Sequence, residues 1–449
     1  MKSDYTEFLR SKRQRNTMSG FRPKSLPDFL FPFQSALADW SIRKGKAAIL
    51  AGCGLGKTPM ELVWADNVAR KTNKPVLLLT PLAVSHQMVR EGAKFGIEVR
   101  RSPEGKAWKG INTANYERLG KFSPHDFGGV VCDEASILKS IDGKTRAAVT
   151  EFLSKVPYRL LATATPAPND FMELGSLSEA LGVMGRAQML GTFFSNDGET
   201  TQQWRLKGHA KSEFWRWVCT WARAVRKPSD LGFDDGQFIL PELNVCQHVV
   251  GKSRGVVDGR FGDLDAVSLD EQRADRRRTL TERCEKVAEL AGGKDYAIVW
   301  CHLNSEGDLL EKLIPDAVQV QGSDSVEAKE ERLDEFAKGN IRVLVTKPKI
   351  GGFGLNLQHC AHQTFFPSHS WESWYQCVRR CWRFGQTRPV RIDVVTGNRE
   401  RRVLANMQRK ERQAEELFAS IILSMNEVLR TEHKNGDATL MKLPGWMKQ

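Results

Sequence analysis

The chain has 449 residues, 41% of them hydrophobic and 27% charged, enough for two or three domains with ordinary cores. No apolar run is long enough to span a bilayer, which excludes an integral helical membrane protein. Sixty-seven Lys and Arg against 54 Asp and Glu give a formal net charge of +13, a surplus that favours a polyanionic partner.

Residues 1–25 are polar and basic without periodicity and read as a loosely held arm. Its start, MKSDYTEFLRSKRQRN, has no apolar core behind it and does not read as a secretory signal. From residue 26 to 184, short apolar runs alternate with helical stretches: AAIL (47–50), VLLLT (76–80), VVCDE (130–134) and RLLATA (159–164) read as buried parallel strands. Segments 58–71 and 83–95 between them read as helices, giving an α/β doubly wound lobe. Residues 185–290 read as a helical insertion and linker, with Trp204, Trp215, Trp217 and Trp221 among Lys and Arg, then a charged connecting helix over 251–290. Tryptophans at helical spacing are more often core than base-stacking surface.

The α/β alternation resumes over 291–398, with AIVWC (297–301), AVQVQ (317–321), IRVLVT (341–346), QTFFP (363–367) and VRIDVV (390–395) as strands of a second parallel-sheet lobe. Residues 399–449 read as a long amphipathic helix followed by a polar tail. The nine cysteines are spread singly with no C-x-x-C pair, as expected of free thiols in a reducing cytoplasm. His359, Cys360, His362, Cys377 and Cys381 lie close in sequence, but their spacing is wrong for the usual structural zinc sites.

Chemistry is concentrated in three segments. Residues 51–58, AGCGLGKT, follow a strand and open a helix. Gly52, Gly54 and Gly56 would let backbone N–H groups face phosphate oxygens; Lys57 would supply positive charge and Thr58 a hydroxyl for Mg²⁺. Residues 131–136, VCDEAS, place Asp133 at a strand end to hold Mg²⁺ and Glu134 beside it to orient or deprotonate water. Residues 376–386, QCVRRCWRFGQ, carry Arg380 and Arg383 one turn apart on an expected helix, as arginine-finger candidates or as a basic surface for DNA phosphates.

With these residues in place, the chain resembles the superfamily-two helicases, and among them the Swi/Snf-type DNA translocases, over roughly residues 28–398. LFPFQ (30–34) is similar to the family's LRPYQ, which implies that Gln34 reads adenine. LLLTPLAVSHQ (77–87), with Thr80 and Pro81, and TANYERL (113–119), with Asn115, resemble segments that touch the nucleic-acid backbone. LLATATPAPND (160–170), with Thr163 and Thr165, resembles the segment that couples the lobes and contacts nucleic acid. KIGGFGLNLQ (349–358) resembles AGGLGLNL, with Gly354 on the nucleotide side and Lys347, just before it, on the nucleic-acid side. HSWESWYQCVRRCWRFGQ (369–386) resembles the stretch ending QAxxRxxRxGQ, which implies that Gln376, Arg380 and Arg383 act as γ-phosphate sensors and fingers.

The resemblance implies two RecA-like lobes, ATP and Mg²⁺ as cofactors, and a motor that tracks duplex DNA through phosphates, in a minimal form as found in bacteria and bacteriophages. A strand-separating DNA or RNA helicase shares the same core. An ATP-switched binding module is the reading from a different class. Three departures stand out: Ala51 opens the glycine loop, Ser136 replaces the usual His of the acidic box, and Pro348 and Lys349 precede GGFG.

Overall fold

In the computed structural model, the described residues are 18–81, 84–139, 143–167, 170–196, 204–251, 269–352, 356–398 and 400–435. The chain divides into two compact units, Met1–Asp235 with Ala414–Gln449, and Gly236–Gln413. The architecture is α/β, with one large parallel sheet in each unit.

In the first unit the strands are β1 (Lys46–Ala51), β2 (Val76–Thr80), β3 (Val99–Arg101), β4 (Ile111–Asn115), β5 (Gly129–Asp133) and β6 (Tyr158–Thr163), followed by a short antiparallel pair, β7 (Phe194–Asn196) with β8 (Trp204–Leu206), and by β9 (Ala222–Val225). The sheet order is β3-β4-β2-β5-β6-β1-β9, every neighbouring pair parallel. Strands such as VLLLT are buried along their whole length because helices cover both faces, so they are continuously apolar rather than alternating.

Residues 185–235 are not an insertion. β9 is the edge strand of the first sheet, paired with β1 from Ala48↔Ala222 to Ala51↔Val225. The helix Lys211–Trp221 just before it buries Phe214, Trp215, Trp217 and Trp221 in the first unit's core, and Trp204 packs on that core from its edge. Phe193, Phe214 and Trp221 surround Trp217 with ring centroids 5.4–5.8 Å away. The C-terminal helix Arg401–Asn435 supplies Leu417, Phe418, Ile421, Ile422 and Met425 to the same core.

The expected N-terminal arm is also partly built in. Residues 1–17 lie outside the described residues, but Ser19 Oγ donates to Lys44 O at 2.9 Å and Gly20 N to Arg43 O at 2.9 Å. Asn67 Oδ1 accepts from Lys24 N at 2.7 Å and Ser25 N at 3.1 Å. A strap of backbone bonds leaves this stretch little conformational freedom.

In the second unit the strands are β10 (Leu243–Val250), β11 (Ala297–Trp300), β12 (Ala317–Val320), β13 (Val343–Thr346), β14 (His362–Phe365) and β15 (Val390–Gly397). Their order is β10-β15-β14-β11-β13-β12, again all parallel. The expected connecting helix over 251–290 is two helices, Leu269–Arg278 and Leu280–Ala291, while 252–268 lie outside the described residues. The second of these is core rather than linker: Cys284, Val287 and Ala291 are buried, and Arg283, 1% exposed, pairs with Glu306 at 2.9 Å. The first segment of the first unit ends at Asp235, before β10, the edge strand of the second sheet.

Asp393 on β15 is completely buried and gathers donors from three adjacent strands. His248 Nε2 lies 2.8 Å from Oδ1, His362 Nε2 2.8 Å from Oδ2, and Arg391 Nη2 donates to Oδ1 at 3.0 Å. Burial by itself would raise this carboxyl's pKa, but the bonds from Arg391, His248 and His362 outweigh it and bring it down to about 2.

Candidate functional site

The three strand ends β5, β6 and β1 are neighbours in the first sheet, and all run the same way. Their carboxyl ends therefore bring together segments far apart in sequence: the loop after Ala51, the Asp133–Glu134 pair and Thr163. Crevices at the carboxyl ends of parallel strands are where open α/β sheets bind ligands.

β1 stops at Ala51 and the helix Lys57–Thr72 starts six residues on. Between them Gly54 and Gly56 have φ of 89° and 72°, left-handed values that glycine adopts without penalty. A Cβ on Gly56 would lie 2.2 Å from Gln34 Nε2. At Gly52 the nearest atom to such a Cβ is 3.6 Å away, so that glycine is not demanded by the protein's own packing. Gly52 N instead donates to Val225 O at 2.9 Å, which ties the start of the loop to β9.

Gln34 is 3% exposed and engaged with backbone. Its Oε1 accepts from Phe31 N at 3.0 Å and its Nε2 donates to Leu55 O at 2.9 Å. In this structure the amide expected to read adenine holds the glycine loop in shape. Lys57 Nζ donates to Ala51 O at 3.1 Å, so the ammonium folds over the loop it follows. Thr58, half-buried, stands in the first turn of the helix, where unpaired N–H groups and the helix dipole favour an anion.

Asp133 closes β5 and is half-buried; Tyr116 Oη donates to its backbone carbonyl at 2.8 Å. Glu134 follows with φ +54°, a left-handed backbone that costs a residue with a Cβ roughly 1–2 kcal/mol. Its carboxylate is fixed from two sides. Ser136 Oγ donates to Glu134 Oε1 at 2.9 Å and Thr163 Oγ1 to the same oxygen at 2.7 Å, while Thr165 N donates to Thr163 Oγ1 at 3.0 Å. Backbone strain kept at a polar cluster marks functional sites more often than ordinary turns.

Glu61 is not among the residues expected at the site. It lies one turn past Lys57 on the same helix, wholly buried, beside Asp133 and Glu134. Burial, then the negative charge of Asp133, push its pKa well above the usual carboxylate range, against the pull of Lys57. Among the described residues, neither of its oxygens has a hydrogen-bond partner. The local clue was a Glu inside the otherwise apolar run MELVW.

The residues expected to meet nucleic acid are unevenly accessible. Thr80, Thr163 and Thr165 are at most 1% exposed and Asn115 6%, while Pro81 is half-buried. Buried Thr side chains offer no surface to a ligand, and Thr163 serves Glu134 instead.

In the second unit, the helix Trp371–Cys381 carries Gln376 and Arg380 on its buried side, 1% and 4% exposed. Arg380 Nη2 donates to Gln376 Oε1 at 2.8 Å and its Nε to Gln376 O at 2.9 Å. Arg383 is not on this helix, which ends at Cys381 because Trp382 leaves the helical conformation (ψ 82°). The two arginines therefore do not share a helix face. Gln386 pins the following turn: its Nε2 donates to Gln358 O at 2.9 Å, and its Oε1 accepts from Thr387 N and Arg388 N at 3.1 and 3.0 Å. Lys347 is half-buried and donates to Asn304 Oδ1. Gly354 lies outside the described residues.

Among the described residues no three His, Cys, Asp or Glu side chains converge as a metal cage, the His359–Cys381 region included. No helix among them is long and apolar enough to cross a membrane.

No protein-family model matches the chain. It is similar to protein p41 of Acyrthosiphon pisum secondary endosymbiont phage 1, at 24% identity over 440 residues, covering 80% of this chain and 91% of that one.

Proposed function

We propose that this protein is a nucleic-acid-dependent ATPase, built from two RecA-like lobes, that translocates along duplex DNA. The observation that carries the reading is the grouping of the Gly52–Thr58 loop, Asp133 and the doubly held Glu134 at three adjacent strand ends. A glycine loop leading into a helix N-terminus suits a phosphate chain. A carboxylate fixed by two hydroxyls suits a group that must orient one water.

The donor set at the site fits Mg²⁺: Asp133 and the Thr58 hydroxyl are hard oxygens, and the unpartnered oxygens of Glu61 belong to a side chain that feels the charge of Asp133. When bound, Mg²⁺ would neutralise charge on the β- and γ-phosphate oxygens. In this reading Lys57 leaves Ala51 O for the phosphates, and Glu134 positions the attacking water and takes its proton. Gln376, Arg380 and Arg383 keep the sensor and finger roles implied by the resemblance of QCVRRCWRFGQ. The basic surplus supports a phosphate-tracking, sequence-independent and salt-sensitive partner.

The test is ATP hydrolysis with no nucleic acid, single-stranded DNA, duplex DNA or RNA, beside a Glu134→Gln control. Stimulation by duplex DNA that the control lacks supports translocation. Stimulation only by single strands or RNA favours a strand-separating helicase. Absence of hydrolysis throughout rejects both and leaves an ATP-switched binding module.

A further inference from the structure

We propose that Glu61 is a second carboxyl of the cation site, and that Glu61 and Asp133 together hold a hard divalent cation before any nucleotide binds. The location rests on the proposed nucleotide site, but binding of a metal alone can be tested whether or not the protein hydrolyses ATP.

Glu61 is 0% exposed, and among the described residues both carboxyl oxygens are without a hydrogen-bond partner. Its helix packs on β5, and its chain neighbours Met60, Leu62, Val63 and Trp64 are at most 1% exposed. An apolar side chain would suit those surroundings better, since buried polar groups are otherwise almost always hydrogen-bonded. The negative charges that act on Glu61 are those of Asp133, the larger, and Glu134. Of the charges that act most on Glu61, Asp133 and Glu134 are carboxyls, and Lys57, the opposing ammonium, bonds to Ala51 O. The Glu61 carboxyl itself has no hydrogen-bond partner among the described residues.

The chemistry of the donors selects the class of ion. Two carboxyls disfavour zinc, and the neighbouring Cys132 thiol, pushed up to about 12 chiefly by burial, is held protonated rather than as a thiolate ligand. No three His, Cys, Asp or Glu side chains among the described residues are placed to hold one ion together, so an all-protein cage of the kind Ca²⁺ takes is not built. An ion of the Mg²⁺ class takes one or two carboxylates, accepts a hydroxyl such as that of Thr58, and fills its remaining positions with water. Half-buried Asp133 gives the ion its approach, and Glu61 closes the inner side.

The experiment is titration of the full chain with Mn²⁺ and no nucleotide, with free Mn²⁺ read by electron paramagnetic resonance. Wild type is expected to bind one Mn²⁺, displaced by Mg²⁺. Glu61→Gln and Asp133→Asn should each weaken binding at least tenfold, while Lys57→Ala should not weaken it. Glu61→Gln should also raise the unfolding temperature in chelator, since it removes an orphaned buried carboxyl. Glu61→Asp keeps the charge on a shorter stem and should bind more weakly than wild type but more tightly than Glu61→Gln; if Glu61→Gln does not fold, Glu61→Asp decides alone. Wild type that binds no Mn²⁺ without nucleotide, or variants at Glu61 that bind as tightly as wild type, overturn the inference. Mn²⁺ binding that depends on Glu61 in a protein that never hydrolyses ATP would sustain it while rejecting the proposed function.

Discussion

Thr163 Oγ1 donates to Glu134 Oε1 at 2.7 Å, so the hydroxyl at the end of β6 holds the carboxylate that follows β5. Ser136 reaches the same oxygen at 2.9 Å. The residue that departs from the usual acidic box is therefore part of the clamp. A hydrogen bond to a charged group is worth about 1.5–3 kcal/mol. Ser136→Ala and Thr163→Ala are each expected to lower kcat for ATP by roughly ten- to a hundredfold, with KM little changed. Steady-state phosphate release checks this. The double variant should fall short of the product of the two losses, because both hydroxyls serve one oxygen.

Gly56→Ala should be the most damaging small change in the loop. It would place a Cβ 2.2 Å from Gln34 Nε2 on a backbone with φ 72°. The expected result is at least a tenfold loss (about 1.4 kcal/mol) of nucleotide affinity, read by titration with a fluorescent ATP analogue. Gly52→Ala, whose nearest protein atom would be 3.6 Å away, should be milder. Equal losses would mean that ligand crowding, not loop shape, governs the site.

Trp217→Ala should cost about 3–5 kcal/mol of stability, the usual penalty for emptying a large aromatic site in a core. Urea unfolding followed by circular dichroism measures it. Trp204→Ala, at the edge of the same core, should cost less. A Trp217→Ala protein that is fully stable but has lost DNA coupling would point to a contact role instead.

Asp393→Asn tests the buried carboxylate of the second unit. The wild-type carboxyl falls from its ordinary 3.8 to about 2 on folding, so the folded state binds fewer protons than the unfolded one between those values. Stability from this group is fully present above pH 4 and is lost as pH falls through about 2. At pH 7 the variant should be less stable by roughly 2 kcal/mol, and the gap to wild type should close between pH 4 and pH 2. Thermal unfolding across that range would show it; a gap independent of pH would assign the loss to packing.

Much of the fold was legible because parallel strands buried on both faces are continuously apolar. VLLLT and the runs ending at Ala51, Asp133 and Thr163 announce themselves in that way. β9 did not, since ARAV is four residues long and follows a helix rich in tryptophan, where helical spacing dominates the pattern. The Lys57 loop and the Asp133–Glu134 pair were readable from local spacing. Glu61 was not, because a carboxyl in a helix usually faces water, and only the packing of that helix on β5 turns it inward. The clamp on Glu134 escaped for a related reason: Thr163 lies 29 positions beyond Glu134, and only the register of β5 against β6, with Asp133 opposite Ala162, brings the two together. Arg383 was misassigned to a helix face because nothing in VRRCWRFG marks Trp382 as the point where the helix stops.

The core that encloses Trp217 also contains Leu417, Phe418, Ile421, Ile422 and Met425, and Cys219 Sγ approaches Ile421 O at 3.8 Å. On the ribosome, where chains emerge N-terminus first, the first unit cannot be finished until Leu417–Met425 have followed the whole of the second unit out. During synthesis the apolar faces around Trp215 and Trp217 wait uncovered while more than 180 further residues are made. Messages truncated before residue 414 would release a protein with its glycine loop and acidic pair intact in sequence but with an open core, a substrate for chaperones and proteases rather than a smaller folded protein.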